Sequence, residues 1–320
     1  MATLSMTKAV NWQKILFNKF SLSIFLSFFA ALGTLSYGYN FPKYFTIDNV
    51  MVLTGMGIIC AACAMLANMM LGTYSLINMK ENKKDKINPG TLTISFLGSI
   101  PYGFLCFFGY QKILPVAVNV AISVMVVIVN TGIGYTAIKN LIGSITKTVA
   151  KPPTRKELFS LEYFIRVIGF LIGLAISTIT YLAASSGITD LLIHYQFPTL
   201  VHYHAGFVLA IISWIPCAAL FANANQIVAG ELYTKMKKFK KFIAGINKHT
   251  FLFFLFCLCS GAAIAQMTVE SFNPSKQIPP FFKDDMIQFV VQHYLIIIAM
   301  FSSAALNYFS INKLIQHFKK

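Results

Sequence analysis

Residues 50–86 read VMVLTGMGIICAACAMLANMMLGTYSLINMKENKKDK, and this stretch decides the class of the chain. From Val50 to Met79 there is no Asp, Glu, Lys or Arg, and then Lys80, Lys83, Lys84 and Lys86 follow in quick succession. A bilayer core needs about 20 apolar helical residues per crossing. Basic residues next to a span stay on the cytoplasmic side, so this stretch is a span that ends there. A β-barrel is excluded because the run lacks the alternating pattern of a barrel strand, and open strands would leave backbone groups unsatisfied in lipid.

The same rule predicts about eight transmembrane helices: Phe20 to Tyr39, Val50 to Met79, Leu92 to Tyr110, Leu114 to Ile138, Leu161 to Ala184, Ala205 to Leu232, Thr250 to Val269 and Phe289 to Ile311. The first run is longer than the apolar core of a secretory signal and lacks a clear small-x-small cleavage site, so it is expected to be a retained span. Composition agrees. Of 320 residues 57% are hydrophobic and 11% are charged, where a soluble chain carries about 25% charged residues. The fold class expected is an all-α polytopic integral membrane protein, in the inner membrane if the cell is bacterial.

Lysine and arginine set the expected orientation. Lys8, Lys14 and Lys19 precede the first span; Lys139, Lys147, Lys151, Arg155, Lys156 and Arg166 surround the fourth connection. Lys235, Lys237, Lys238, Lys240, Lys241 and Lys248 fill the sixth, and Lys313, Lys319 and Lys320 close the chain. With the lysines after span two, that places 22 of the 26 basic residues on one side, and both termini are expected to be cytoplasmic. The net charge of +16 therefore belongs to juxtamembrane collars. Such collars meet anionic lipid headgroups at about 1 kcal/mol per residue. They lack the interleaved aromatics and recognition modules of a nucleic-acid binder.

Sliding span two onto span six by 155 positions aligns Ala64, Ala67 and Asn68 with Ala219, Ala222 and Asn223, and Lys80, Lys83 and Lys86 with Lys235, Lys238 and Lys241. Tyr135, Ile138, Leu141 and Ile142 match Tyr308, Ile311, Leu314 and Ile315 at an offset of 173. Four spans return the chain to its starting side, so these matches predict two parallel four-helix repeats about an axis along the membrane normal. The expected organisation is a cytoplasmic segment 1–19, a first half 20–138, a linker 139–160, a second half 161–311 and a basic tail 312–320.

Deep ionisable residues mark function in a membrane because they are costly there, and the spans hold almost none. Their polar groups are amides. On span two Gly57, Ala61, Ala64, Asn68, Gly72 and Ser75 share one face, and on span six Pro216, Ala219, Asn223, Gln226 and Gly230 repeat it. Such a stripe lets helices approach closely and hydrogen-bond across the contact. The functional expectation is that Asn68 and Asn223 face each other across the axis and line a polar path with Asn225, Gln226 and Asn130. Pro216 removes a backbone hydrogen bond and would permit local opening.

All six cysteines lie in apolar spans. Cys60 and Cys63 form a CxxC on one helical face, but with no basic partner to stabilise a thiolate. Packing is the expectation there, and redox chemistry the alternative. His194, His202, His204 and His293 gather toward the exterior near Asp190, Glu270, Asp284 and Asp285. They suit either an interfacial belt or a site for a divalent metal. The segment Asp190 to His204 is expected to form a short interfacial helix before span six.

No P-loop, HExxH or GxSxG pattern occurs, which excludes a self-contained ATP-driven pump and the common hydrolase and metalloprotease sites. The function expected is a permease or channel-like transporter of a small solute, requiring no cofactor. A non-enzymatic subunit, with a membrane-protein partner or a second copy of the chain, is the alternative. A membrane redox or metal-dependent enzyme is the third.

Overall fold

The structure is a computed structural model that describes residues 19–31, 50–81, 87–111, 114–237, 248–271 and 285–318. The described residues are helical throughout, joined by turns. In chain order the helices are α1 (Lys19–Ala31), α2 (Val50–Glu81), α3 (Pro89–Tyr110), α4 (Val116–Ala150), α5 (Arg155–Leu158), α6 (Leu161–His194), α7 (Thr199–Met236), α8 (Lys248–Ser271) and α9 (Asp285–Phe318). Five contain segments long and apolar enough to cross a membrane: 57–79, 89–108, 116–150, 161–179 and 211–236. The apolar stretches Ser21–Ala31 and Phe251–Ala262 are shorter. The chain is a multi-pass integral membrane protein. Its outward faces carry large apolar side chains such as Phe25, Val124, Ile128, Phe164 and Phe301, which suit hydrocarbon contact.

Helix ends follow from local sequence. Asn88 caps α3 by accepting from the Thr91 N–H at 3.2 Å, and Pro89 takes the first helical position, where its missing N–H costs nothing. The helix α4 runs three turns past Ile138, so the linker expected from 139 is helical to Ala150. After Pro152 and Pro153, Thr154 and Glu157 cap each other reciprocally and start the single turn α5.

The segment from Asp190 to His204 departs from expectation. It is not a separate interfacial helix; α6 continues to His194 and α7 already begins at Thr199. The break is a left-handed cap. Gln196 has φ 56°, its N–H bonds Ile193 O at 3.0 Å, and the Phe197 N–H bonds Leu192 O at 3.1 Å. That is the Schellman pattern, with Pro198 just beyond to stop the helix.

The long helices enclose one another in a definite order. α2 packs on α4 and α9, and α7 packs on the same two. The four therefore form a closed ring in the order α2, α4, α7, α9, in which α2 and α7 share no extended face. Outside it, α3 forms a hairpin with α4 and touches α7, while α8 forms a hairpin with α9 and touches α2. α1 lies against α2 and α4, and α6 lies along α7. One apolar core joins Ile176, Phe221, Ala224, Val228, Ala299, Leu306 and Phe309 of α6, α7 and α9.

Candidate functional site

Every amide singled out in the sequence lies on a ring helix. Asn223 (4% exposed) and Asn225 (7% exposed) are buried on α7, whereas Asn68 on α2, Asn130 on α4 and Gln226 are half-buried. Asn225 points at α9. Its Nδ2 donates to Ser302 Oγ at 2.9 Å and to its own helix at Phe221 O, also 2.9 Å. Asn223 lies nearly opposite on α7, one turn after Ala219, which packs on Ala137 and Ile138 of α4. Its Oδ1 is buried with no hydrogen-bond partner.

Contacts along α4 fix the depth of each amide. Gly134 meets Pro216, and Ala137 with Ile138 meets Ala219. Gly72 meets Val129, and Leu76 meets Gly132. Positions rise together in both pairs, so α2, α4 and α7 run the same way. Counted from these contacts, Asn68 lies beside about residue 125 of α4 and Asn223 beside about residue 141. At 1.5 Å per residue the two are staggered by about 24 Å along α4. Asn130 lies between them. The amides are therefore spread along the ring and are not opposed at one level.

Pro216 sits inside a continuous α7. Its ring fills notches left by two glycines: a Cβ built on Gly134 would lie 2.9 Å from Pro216 Cβ, and one on Gly98 would lie 3.1 Å from Pro216 Cγ. The proline is a packing wedge between α3 and α4.

A second polar group escaped the sequence. On α9, Ser303, Asn307 and Ser310 form a fully buried stripe. Asn307 Nδ2 donates to Ser260 Oγ of α8 at 2.5 Å, and the Ser260 hydroxyl donates to Cys257 O at 2.9 Å. Since that hydroxyl proton is committed, Ser260 can only accept from Asn307. This fixes the amide orientation and leaves Asn307 Oδ1 without a donor. The i, i+4 spacing of Ser303 and Asn307 was the available signal. Near the end of α7, Lys235 Nζ donates to Tyr308 OH at 2.9 Å, tying α7 to α9 again.

Cys60 is buried on α2 with Ala64, and Cys259 and Ala262 of α8 pack against that pair. Cys63 is half-buried. Of the histidines, His194 is exposed at the end of α6 and His204 is exposed on α7. The side chains of His202 and His293 lie outside the described residues. Among the described residues no three His, Cys, Asp or Glu side chains gather as a metal site. No buried residue is charged among those described. Glu162 and Arg166 pair at 3.1 Å in a half-exposed position on α6.

Comparison with known protein families, curated proteins and solved structures finds no match. The chain's class, a helical multi-pass membrane protein, rests on its own residues.

Proposed function

We propose that the protein is a permease or channel-like transporter for a small, uncharged, hydrogen-bonding solute, with eight spans, both termini cytoplasmic and no ATPase of its own. The path runs along the ring α2–α4–α7–α9. Asn68, Asn130 and Asn223 are successive contacts along it, with Gln226 beside Asn223. The observation that carries this is the Asn223 oxygen, buried on a ring helix without a partner. A buried acceptor left unpaired costs about 1–3 kcal/mol, and a passing donor would relieve that cost. The absence of buried charge among the described residues favours a neutral solute over an ion.

We further propose that the halves 20–138 and 161–311 are parallel repeats. The support is their neighbours: α2 packs on α1, α4, α8 and α9, and α7 packs on the corresponding α6, α9, α3 and α4. The stagger of Asn68 against Asn223 is the feature a strict rotation about the membrane normal does not account for.

The test is flux. Purified protein in liposomes is challenged with urea and with glycerol, and swelling is followed by light scattering. The wild type speeds entry of at least one of them over empty liposomes, and Asn68→Ala with Asn223→Ala abolishes the gain while the protein stays monodisperse in detergent. Unchanged flux in the double variant removes the path assignment.

A further inference from the structure

Lys235 bridges from the end of α7 to a phenol on α9. Its Nζ donates to Tyr308 OH at 2.9 Å and lies 5.5 Å from the centroid of the same ring. Glu231, one turn earlier on α7, is the usual kind of partner for a helical lysine, yet this lysine reaches across to the neighbouring helix. Phe253 of α8 packs on Tyr308 with the ring centroids 5.6 Å apart, which steadies the phenol. An ammonium group only donates, so the phenol oxygen accepts this bond and its own O–H is left to donate elsewhere. Among the described residues nothing accepts that proton. Accepting from a cation also polarises the O–H and makes it a stronger donor. Lys235 keeps two further N–H groups, and its side chain is exposed.

Donors from two helices, one of them cationic, suit an anion with several acceptor oxygens. Their surroundings indicate which kind. Phe301, Tyr308 and Ile315 recur every seven residues and so share one face of α9. Phe301 and Ile315 are exposed, as is Leu232, one turn before Lys235 on α7. The polar pair thus stands on an apolar outward face, and Lys235 closes the membrane-crossing segment 211–236. A free anion needs only the donors, whereas a lipid also uses the apolar face. We infer that Lys235 Nζ and Tyr308 OH form a headgroup site for an anionic phospholipid. Both groups donate to the phosphate oxygens, and an acyl chain lies along α9 past Phe301. Any lysine at the membrane surface attracts anionic lipid; this one has a neutral hydroxyl donor fixed beside it. Lys237, in contrast, lies over the ring face of Tyr233, 4.7 Å from its centroid. The site is independent of solute transport, because it uses none of the amides.

The test uses purified full-length protein in detergent, titrated separately with phosphatidylglycerol, phosphatidylcholine and sodium phosphate. Bound lipid is counted by native mass spectrometry, and the melting temperature is followed in parallel. Phosphatidylglycerol should bind about tenfold more tightly than phosphatidylcholine and raise the melting temperature, while sodium phosphate at the same concentrations does not. Lys235→Gln and Tyr308→Phe should each weaken phosphatidylglycerol about tenfold, as expected for losing a hydrogen bond to a charged group. Lys237→Gln should weaken it less than Lys235→Gln does, and Glu231→Gln, which removes a nearby negative charge, should tighten it. Tyr308→Phe keeps the ring and the net charge, so diffuse attraction to the lysines predicts no change there. Melting of each variant without lipid shows whether it is folded. If Tyr308→Phe fails to fold, Lys235→Gln against Lys237→Gln carries the test, and equal losses would overturn the site. It is likewise overturned if phosphatidylglycerol is not preferred, if a folded Tyr308→Phe binds it as the wild type does, or if sodium phosphate stabilises the protein equally.

Discussion

Helix α7 is held on two sides by different means. Against α6 the backbone itself approaches: a Cβ added to Gly173 would lie 2.4 Å from Phe221 O and 2.7 Å from Ala222 Cα, and one added to Gly169 would lie 2.7 Å from Asn225 O. Against α9 the tie is made by side chains, Asn225 to Ser302 and Lys235 to Tyr308. Lipid tails are as apolar as leucine, so burial gives helices little reason to associate in a membrane. Close packing and polar contacts must supply it. The α6 seam uses the first means and cannot tolerate an added atom. The α9 seam uses the second and loses a bond at a time.

The sharpest way to break this distinction is Gly173→Ala. The obstructing atoms are backbone and cannot swing aside, so the cost should reach the upper range for overpacking, about 3 kcal/mol, read as a lowered unfolding midpoint in detergent. A silent Gly173→Ala would deny the close approach. Next comes Asn225→Leu, which removes the cross-helix hydrogen bonds to Ser302 Oγ and Ser302 O and should cost about 1 kcal/mol. A loss equal to that of Gly173→Ala would make the two seams alike.

An effect of similar size and opposite sign is expected at the turn between α6 and α7. Gln196 holds φ 56°, a conformation that costs a side-chain-bearing residue about 1 kcal/mol and costs glycine little. Gln196→Gly should therefore raise stability by about that amount. A lower melting temperature would mean that the side chain supports the turn.

The smallest effect concerns Glu157. The Thr154 backbone N–H, then the Thr154 hydroxyl, with Lys151 nearby, hold its carboxyl below the ordinary carboxylate range. A depressed folded-state pKa contributes stability that is present above the unfolded value and lost as pH falls through the folded one. Proteolysis of the 151–160 connection should thus quicken at acid pH in wild type. In Glu157→Gln the same connection should be cut at a rate that varies less with pH; identical profiles would dismiss the capping box as a pH-dependent brace.

Much of the helical layout was legible because charge and length are one-dimensional signals. Val50–Met79 and the lysines after it locate α2 without any tertiary knowledge, and the start of α6 at Leu161 follows likewise. The turn at Gln196 was not legible, because glutamine gives no hint of a left-handed conformation. Asn223 could be singled out as a buried amide, but its depth relative to Asn68 depends on how α2 and α7 slide along α4, and no local pattern encodes that. Pro216 suggested an opening. Its wedge role appears only once Gly98 and Gly134 are brought beside it from two other helices. Cys60 was matched with Cys63 by sequence spacing, while Cys259 packs on its cluster from almost two hundred positions away.

Water access to the staggered amides tests the central claim most directly. With the six native cysteines replaced, Asn68→Cys and Asn223→Cys are placed singly and labelled with a membrane-impermeant maleimide applied to either face of oriented vesicles. A path through the ring predicts that the Asn68 position reacts from the exterior face and the Asn223 position from the cytoplasmic face. If neither position reacts from either face while the protein remains folded, the ring carries no aqueous path and the proposed transport is contradicted.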